Sequence, residues 1–550
     1  MRLSPLFCAL SVSLPLAAAE VPITRVEARI YPLAREAQAV EAMAYDAEGR
    51  VLAIGSRAEV DAAIAGRGEI RTLKLDGVVV PGLIDAHAHL LGLGFSLLQA
   101  DLVDAADVPE VIARLQRQAE ELPAGAWLTG RGWDQNDWPQ QSFPTAAMLD
   151  AAFPERPVWL ERIDGHAGWA NSRALAAAGI DADTPDPEGG KILRDAEGRA
   201  TGVLIDAAMG LVDRVLPKPD RALKRKAAER ALAQAASLGL TGVHDAGMSW
   251  DDLSLFREIA DAGQLPLRIY AMADGDNLAL RRLCQEGLYS HRSGRLQMRA
   301  LKLYADGALG SRGAALLRDY SDDPGNRGLL FQSQQVLDEV VRRATDCGVQ
   351  VAVHAIGDAG NRQVIATYAK LAADTRERLR LRIEHAQVIA PEDIPRFAEL
   401  KLIASMQPTH ATSDMPWAEA RVGAERIRGA YAWQTLLKLD VPLALGSDFP
   451  VERVAPTLGL YAAIARQDQD GQPPGGWFPD QRLSRAEALH GFTLAAAHAG
   501  FAEAEIGSLE PGKRADYTLF AADPYTAPIS DLASLKVLGT WIDGERVSGE

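Results

Sequence analysis

A chain of 550 residues, 47% hydrophobic and 24% charged, is long enough for a large core and more than one domain, with the make-up of a globular protein. Its 58 lysines and arginines against 74 aspartates and glutamates give a formal net charge of −16 without any basic stripe, which argues against nucleic acid and anionic membrane surfaces as partners. Three cysteines exclude a disulfide framework.

In chain order, Arg2, the apolar stretch from Leu6 to Leu16 and Ala17-Ala18-Ala19 ahead of Glu20 read as a secretory signal peptide over residues 1–19. Its removal takes Cys8 away, leaves Cys284 and Cys347 for at most one disulfide, and places the mature chain in the periplasm or the medium. The stretch is too short for a comfortable membrane span and no later segment supplies one, so the mature chain is not expected to insert. Short strands follow at Ile23 to Ile30, Ala39 to Tyr45 and Val51 to Gly55, and a similar texture returns at Asp516 to Phe520 and Val537 to Ile542. Two β-rich ends around a different middle predict one small β-sandwich domain composed of residues 20–80 and 505–550.

From 81 to 504 short apolar strands alternate with helical patterns. The strand before His87 is followed by strands at Leu240 to His244, Leu267 to Ala273, Ala300 to Tyr304, Val349 to His354, Leu381 to His385, Leu402 to Gln407 and Val441 to Ser447. Helical segments such as Arg221 to Leu238, Gln335 to Cys347 and Pro391 to Leu400 lie between them. Eight such units predict an α/β fold of the (β/α)8 TIM-barrel class. The rival, an open doubly wound sheet, lacks its Gly-rich dinucleotide fingerprint after any strand. Residues 90–239 are too many for a simple crossover and are expected to form an insertion or lid over the barrel mouth. That stretch contains Trp133, Trp138 and a hairpin from Lys191 to Asp206 turning at Ala196-Glu197-Gly198.

The chemistry-bearing residues gather at strand ends. His87-Ala88-His89 closes the apolar run that begins at Gly77, and imidazoles at i and i+2 of an extended segment leave the backbone on one face, where they can grip one metal ion. Val351-Ala352-Val353-His354 and Leu381-Arg382-Ile383-Glu384-His385 each end in histidine, and Leu443-Ala444-Leu445-Gly446-Ser447-Asp448 ends in a carboxylate. In a parallel barrel these ends converge. Four imidazoles and a carboxylate suit a borderline cation such as Zn²⁺ and exceed what one four-coordinate site needs beside a water. Lys302, within an otherwise apolar strand, is costly if charged and unpaired. A carbamate formed there with CO₂ would be an anionic ligand able to bridge two metals; pairing with a carboxylate such as Asp306 is the alternative.

This set resembles the amidohydrolase superfamily, and its details look like the branch containing the N-substituted formamide deformylases. The resemblance is carried by Pro81-Gly82-Leu83-Ile84-Asp85-Ala86-His87-Ala88-His89, Gly130-Arg131-Gly132-Trp133-Asp134, Asp164-Gly165-His166, Ala305-Asp306-Gly307-Ala308-Leu309-Gly310-Ser311-Arg312 and Met406-Gln407-Pro408-Thr409-His410. It covers nearly the whole mature chain. Matched position by position, it implies that His87, His89, His354, His385 and Asp448 bind metal, with Lys302 the carboxylated bridge between two Zn²⁺ ions. The implied reaction is hydrolysis of a non-peptide linear C–N bond, in N-substituted formamides or related amides, by a metal-activated hydroxide with Asp448 as general base and acid. A cyclic-amide, carbamate or ester hydrolase on the same centre is the alternative within enzymes, and a non-catalytic metal-dependent binding protein the alternative outside them.

Other residues stand as candidates beside the ligands. His166 and His410 are placed as further catalytic groups, Trp133 and Asp134 as a substrate wall with a polar anchor, and Ser311 and Arg312 as contacts for a polar substrate group. His244 and Asp245 are expected to pack or hydrogen-bond behind the ligands. The expected partner is a small-molecule amide, and a homo-oligomer stays open.

Overall fold

The computed structural model describes residues 22–549 apart from 34, 35, 37, 121, 188, 276 and 277, so the signal-peptide reading of residues 1–19 lies outside the described residues. Eight parallel strands form the centre: β1 (Leu83–Ala88), β2 (Leu240–Met248), β3 (Arg268–Asp274), β4 (Leu296–Tyr304), β5 (Gln350–Ala355), β6 (Arg382–His385), β7 (Ile403–Met406) and β8 (Leu443–Leu445). Each pairs with its neighbour in sequence order, from β1 through to β8. The barrel is nearly closed where β8 returns to β1. There Asp448 N donates to His87 O at 2.7 Å and His89 N to Phe449 O at 2.9 Å. Gly446 permits this approach, because a Cβ there would lie 2.6 Å from both Asp85 Oδ1 and His87 N.

These strands are buried on both faces, which is why they read as nearly continuous apolar runs rather than alternating ones. The helices outside them carry the complementary pattern. In the helix Gln334–Asp346 the residues Leu337, Val340, Val341 and Ala344 recur at helical spacing and are buried, and Ser333 caps the first turn by accepting from Val336 N. The helix Arg221–Ser237 starts on Asp220, which accepts from Leu223 N, and buries an alanine-rich face. Cys284 and Cys347 form a disulfide that ties the helix Leu278–Glu286 to the end of Gln334–Asp346. Among the described residues, no helix is long and apolar enough to cross a membrane.

The two chain ends meet in one continuous seven-stranded sheet, in the order Glu545–Gly549, Val537–Ile542, Tyr517–Phe520, Ile70–Pro81, Ile23–Ile30, Val40–Tyr45, Val51–Gly55. The strand Ile70–Pro81 leads through Gly82 directly into β1. Val26, Ile30, Met43, Val79, Tyr517 and Trp541 form the core of this sheet. It docks on the base of the barrel: Arg268, at the start of β3, bonds Asp516 at 2.6 Å, and Thr518 Oγ1 donates to Gly239 O at 2.7 Å.

Between β1 and β2 the chain forms a six-stranded sheet in the order Gly190–Arg194, Ala200–Asp206, Ala167–Ala170, Val158–Arg162, Leu128–Trp133, Ala100–Asp101. Its core is an aromatic cluster of Trp133, Trp138 and Trp169 with ring centroids 6.0 to 6.2 Å apart. Arg131 fastens this unit to the barrel by donating to Pro450 O at 2.5 Å, and Arg453 pairs with Asp104.

Candidate metal centre

A cavity of about 2080 Å³ opens at the C-terminal ends of the strands, and His87, His89, Lys302, His354, His385, His410 and Asp448 all line it. Residues up to 361 positions apart in sequence meet here because each stands at or just past a strand end. His87, His385 and Asp448 present ligand atoms all within 4.8 Å of one another. Asp448 Oδ1 lies 3.2 Å from His89 Nε2 and 3.5 Å from His87 Nε2, and the His354 ring centroid is 4.5 Å from that of His385. Lys302, 1% exposed, reaches the same group with Nζ 3.4 Å from His87 Nε2.

Electrostatics favour a cation at this point. Burial, with the nearby Lys302 charge, pushes His87 down to about 4 and His354 to about 3, so their imidazoles are neutral at pH 7 as ligands must be. Burial works against ionising Asp448, but the surrounding imidazoles outweigh it and hold the carboxyl well below its ordinary range. Burial also lowers Lys302, and among the described residues it forms no ion pair. Among the described residues, buried Asp448 Oδ1 and His410 Nε2 make no well-formed hydrogen bond, their polar neighbours being other candidate ligands: His89 Nε2 at 3.2 Å and Asp448 Oδ2 at 3.7 Å. A divalent cation fits this donor set, because it supplies the positive charge that a carboxylate surrounded by imidazoles can share.

The ligand orientations are fixed from behind. His87 Nδ1 lies 2.5 Å from Glu384 Oε2, which leaves Nε2 to face the cavity. Glu384 is fully buried and held by Arg382, whose guanidinium also reaches His244 Nδ1 at 2.8 Å, Ala86 O and Ser405 Oγ. His385 Nδ1 sits 2.8 Å from Gln407 Oε1. Asp85 accepts from Ser447 Oγ at 2.6 Å and from the His87 and Ser447 amides, stitching the seam that carries His87 and Asp448. His385 and Asp448 have φ of +68° and +63°, left-handed conformations uncommon outside glycine that turn the chain sharply at the mouth.

The remaining candidates divide into those that reach the cavity and those that do not. His410 lines it and stacks on His385 at 5.9 Å, with Nε2 3.7 Å from Asp448 Oδ2. His166 lines it from the inserted sheet, its Nδ1 2.7 Å from Asp206 Oδ1. Burial opposes protonation of this ring, but Asp206 and Asp164 outweigh it and raise its affinity for a proton. Asp134 lines it and is held by Arg162 at 2.5 Å. Trp133 does not: it is fully buried in the aromatic core, its Nε1 donating to Leu160 O, because alternation along its strand turns it inward while Asp134 comes out at the strand end. Ser311 and Arg312 also miss the cavity, which their loop meets through Ala308, Leu309 and Gly310. Ser311 Oγ stays local, 3.4 Å from Ala308 O, and Arg312 is drawn away to Asp322. Asp306 accepts from the Ala315, Ile356 and Gly357 amides instead of pairing with Lys302. Asp245 caps the helix after His89 by accepting from Leu90 N.

Sequence reasoning passed over Glu384 and Arg382. The available signal was two opposite charges at i and i+2 of an apolar strand, which must share one buried face.

Comparison with known proteins agrees with this geometry. The family described as Amidohydrolase family matches residues 76–548. YtcJ of Bacillus subtilis (strain 168), a provisionally named amidohydrolase, is 34% identical over 94% of this chain and 98% of its own. The N-substituted formamide deformylase of Arthrobacter pascens is 30% identical over 90% of this chain and 93% of its own. The crystal structure of an uncharacterised metal-dependent hydrolase from Pyrococcus horikoshii OT3 superimposes with a TM-score of 0.76 at 28% identity, covering 92% of this chain and 99% of that one. The chain belongs to the amidohydrolase family, metal-dependent hydrolases acting on C–N bonds.

Proposed function

We propose that this hydrolase cleaves linear, non-peptide C–N bonds, with N-substituted formamides and related amides as its substrate class, on a centre of two Zn²⁺ ions bridged by a carboxylated Lys302. The observation that carries the proposal is Lys302 itself, an amine that forms no ion pair among the described residues and is buried among His87, His354, His385 and Asp448. Burial keeps its nitrogen closer to the neutral form that reacts with CO₂. The 30% identity with the Arthrobacter pascens deformylase supports the substrate class. We further propose that the chain is exported to the periplasm or the medium after loss of residues 1–19, which the Cys284–Cys347 disulfide supports, since such bonds persist in oxidising compartments.

His87, His89, His354, His385, Asp448 and the modified Lys302 would hold the ions, which supply Lewis acidity for the carbonyl and lower the pKa of water. Asp448, its Oδ1 near the candidate ligands His89 and His87, takes the proton of the attacking water and passes it to the departing nitrogen as the C–N bond breaks. His410, whose Nε2 lies 3.7 Å from Asp448 Oδ2 and makes no hydrogen bond among the described residues, donates to the carbonyl oxygen as negative charge develops there. Asp134 and His166, each held in place by a charged neighbour, orient the substrate from the inserted sheet.

The test pairs metal content by plasma mass spectrometry, on mature protein purified without chelator, with turnover of formamides, other linear amides, cyclic amides, carbamates and esters. Two zinc ions per chain are expected, together with formamide turnover that chelation abolishes and zinc restores. One ion per chain would overturn the carboxylated bridge. Turnover confined to cyclic amides or esters would overturn the substrate class.

A further inference from the structure

Between the barrel and the inserted sheet, one arginine reaches two segments of the site at once. Arg131, in the strand Leu128–Trp133, lines the cavity with its side chain 11% exposed. Its Nη1 donates to Pro450 O at 2.5 Å, its Nη2 to Ile163 O at 2.7 Å and its Nε to Glu161 Oε1 at 3.3 Å. All three nitrogens of the guanidinium are engaged, two of them by backbone carbonyls.

Those two carbonyls belong to segments that carry candidate site residues. Pro450 stands just past Asp448, whose φ of +63° persists only where the surroundings over-determine it. Each successive carbonyl there has a donor: Asp448 O accepts from Val451 N at 2.9 Å, Phe449 O from His89 N at 2.9 Å, and Pro450 O from Arg131. The first bond is local to the turn, the second comes from the end of β1, and the third comes from the inserted sheet. On the other side, Ile163 lies in the turn that presents Asp164 and His166 to the cavity, closed by Gly165 N donating to Arg162 O at 3.0 Å. The pair Arg453–Asp104 also joins the sheet to the barrel, but its side chains are 56% and 69% exposed, so solvent screens it and it constrains little. Arg131 differs in kind, because its planar fork fixes two acceptors in both distance and direction, which a flexible ammonium cannot do.

We propose that Arg131 is a positioning residue for the hydrolysis: by bridging Pro450 O and Ile163 O it holds the Asp448 turn and the His166 turn in one fixed register. The kinetic consequence rests on the roles proposed above for Asp448 and His166; the bridge between the two segments does not.

The experiment reads the two separately. The full mature protein is compared with Arg131→Ala, Arg131→Lys and Arg453→Ala by circular dichroism, zinc content, amide hydrogen exchange, and kcat and KM on the fastest of the amides, carbamates and esters named above. Both Arg131 variants should fold and keep the wild-type zinc content, while kcat falls about 10- to 100-fold, the scale expected when a reacting group is misplaced by about 1 Å. Peptides covering residues 446–455 and 160–168 should exchange faster in both variants. Methylguanidinium should restore part of the lost kcat in Arg131→Ala but none in Arg131→Lys, where the lysine stem fills the space; a merely structural clasp would show no such rescue. Arg453→Ala should stay within about twofold of wild type. Unchanged kcat or unchanged exchange in Arg131→Ala, full activity in Arg131→Lys, unfolding of both variants, or absence of rescue overturns the assignment. Should the wild type turn over none of these substrates, the proposed reaction falls and exchange alone decides: faster exchange in both segments supports the bridge, and unchanged exchange in either overturns it.

Discussion

The two ends of the barrel bury charge in opposite ways. At the base, Arg268 meets Asp516 at 2.6 Å and Asp543 at 2.5 Å, Arg295 adds a second guanidinium to Asp543 at 3.0 Å, and the Asp543 amide closes the ring on Asp516 Oδ1. At the mouth, among the described residues, Asp448 Oδ1 and His410 Nε2 make no well-formed hydrogen bond, Lys302 forms no ion pair, and His385 and Asp448 sit in left-handed backbone. One end spends its charges on holding the terminal sheet to the barrel. The other leaves them unsatisfied at the cost of stability, which makes sense only if something outside the protein completes them.

The substitution expected to do most at the mouth and nothing at the base is Asp448→Asn. On the proposed mechanism it keeps the shape but removes both a ligand charge and the proton acceptor, so kcat on the best amide should fall by about 10²- to 10⁴-fold. Circular dichroism and the thermal midpoint should stay near wild type; full activity would break the distinction between the two ends. Glu384→Gln tests how far the mouth depends on what lies behind it. The amide holds His87 less strongly and leaves Arg382 without its counter-charge, so zinc affinity in a chelator competition should drop about 10- to 100-fold. Unchanged affinity would reduce Glu384 to a charge partner of Arg382.

The sequence made the mouth legible and left the base obscure, for physical reasons. Histidines and an aspartate closing apolar runs have few other uses, so His87, His89, His354, His385 and Asp448 stood out without any contact being known. The eight strands were likewise readable, since strands buried on both faces are unbroken apolar runs between helical periodicity. The hairpin at Lys191 to Asp206 showed through its turn, but its extension into a six-stranded sheet did not, because pairing among distant segments such as Ala100–Asp101 and Leu128–Trp133 leaves no local pattern. Trp133 illustrates the limit: an aromatic at the end of a strand suits a pocket wall or a core equally well, and only the three-dimensional packing with Trp138 and Trp169 decides. Glu384 and Arg382 hid because charges within a strand look like errors until each is seen to satisfy the other. The Arg268 cluster hid more completely, since its partners lie some 250 residues away.

That base cluster should govern acid stability while leaving chemistry untouched. Burial alone would raise the Asp543 pKa, but Arg268 and Arg295 outweigh it and hold the carboxyl below its ordinary value. A depressed folded-state pKa contributes stability that is fully present above the unfolded value of about 3.9 and is lost as pH falls through the folded one. The thermal midpoint of the wild type should therefore begin to fall on acidification below about pH 4, with part of that slope owed to Asp543. Arg268→Met removes the main cause of the depression. It should cost about 3 kcal/mol at pH 7, by leaving Asp516 and Asp543 short of a cation, and flatten the acid slope below pH 4. Turnover at pH 7 should be unchanged, because Arg268 stands at the start of β3 and lines no part of the cavity. Superimposable acid profiles for the two proteins would show that the base cluster is held by its hydrogen bonds rather than by its charge. A parallel loss of turnover would show that the two ends of the barrel are mechanically coupled, which their separate networks of partners argue against.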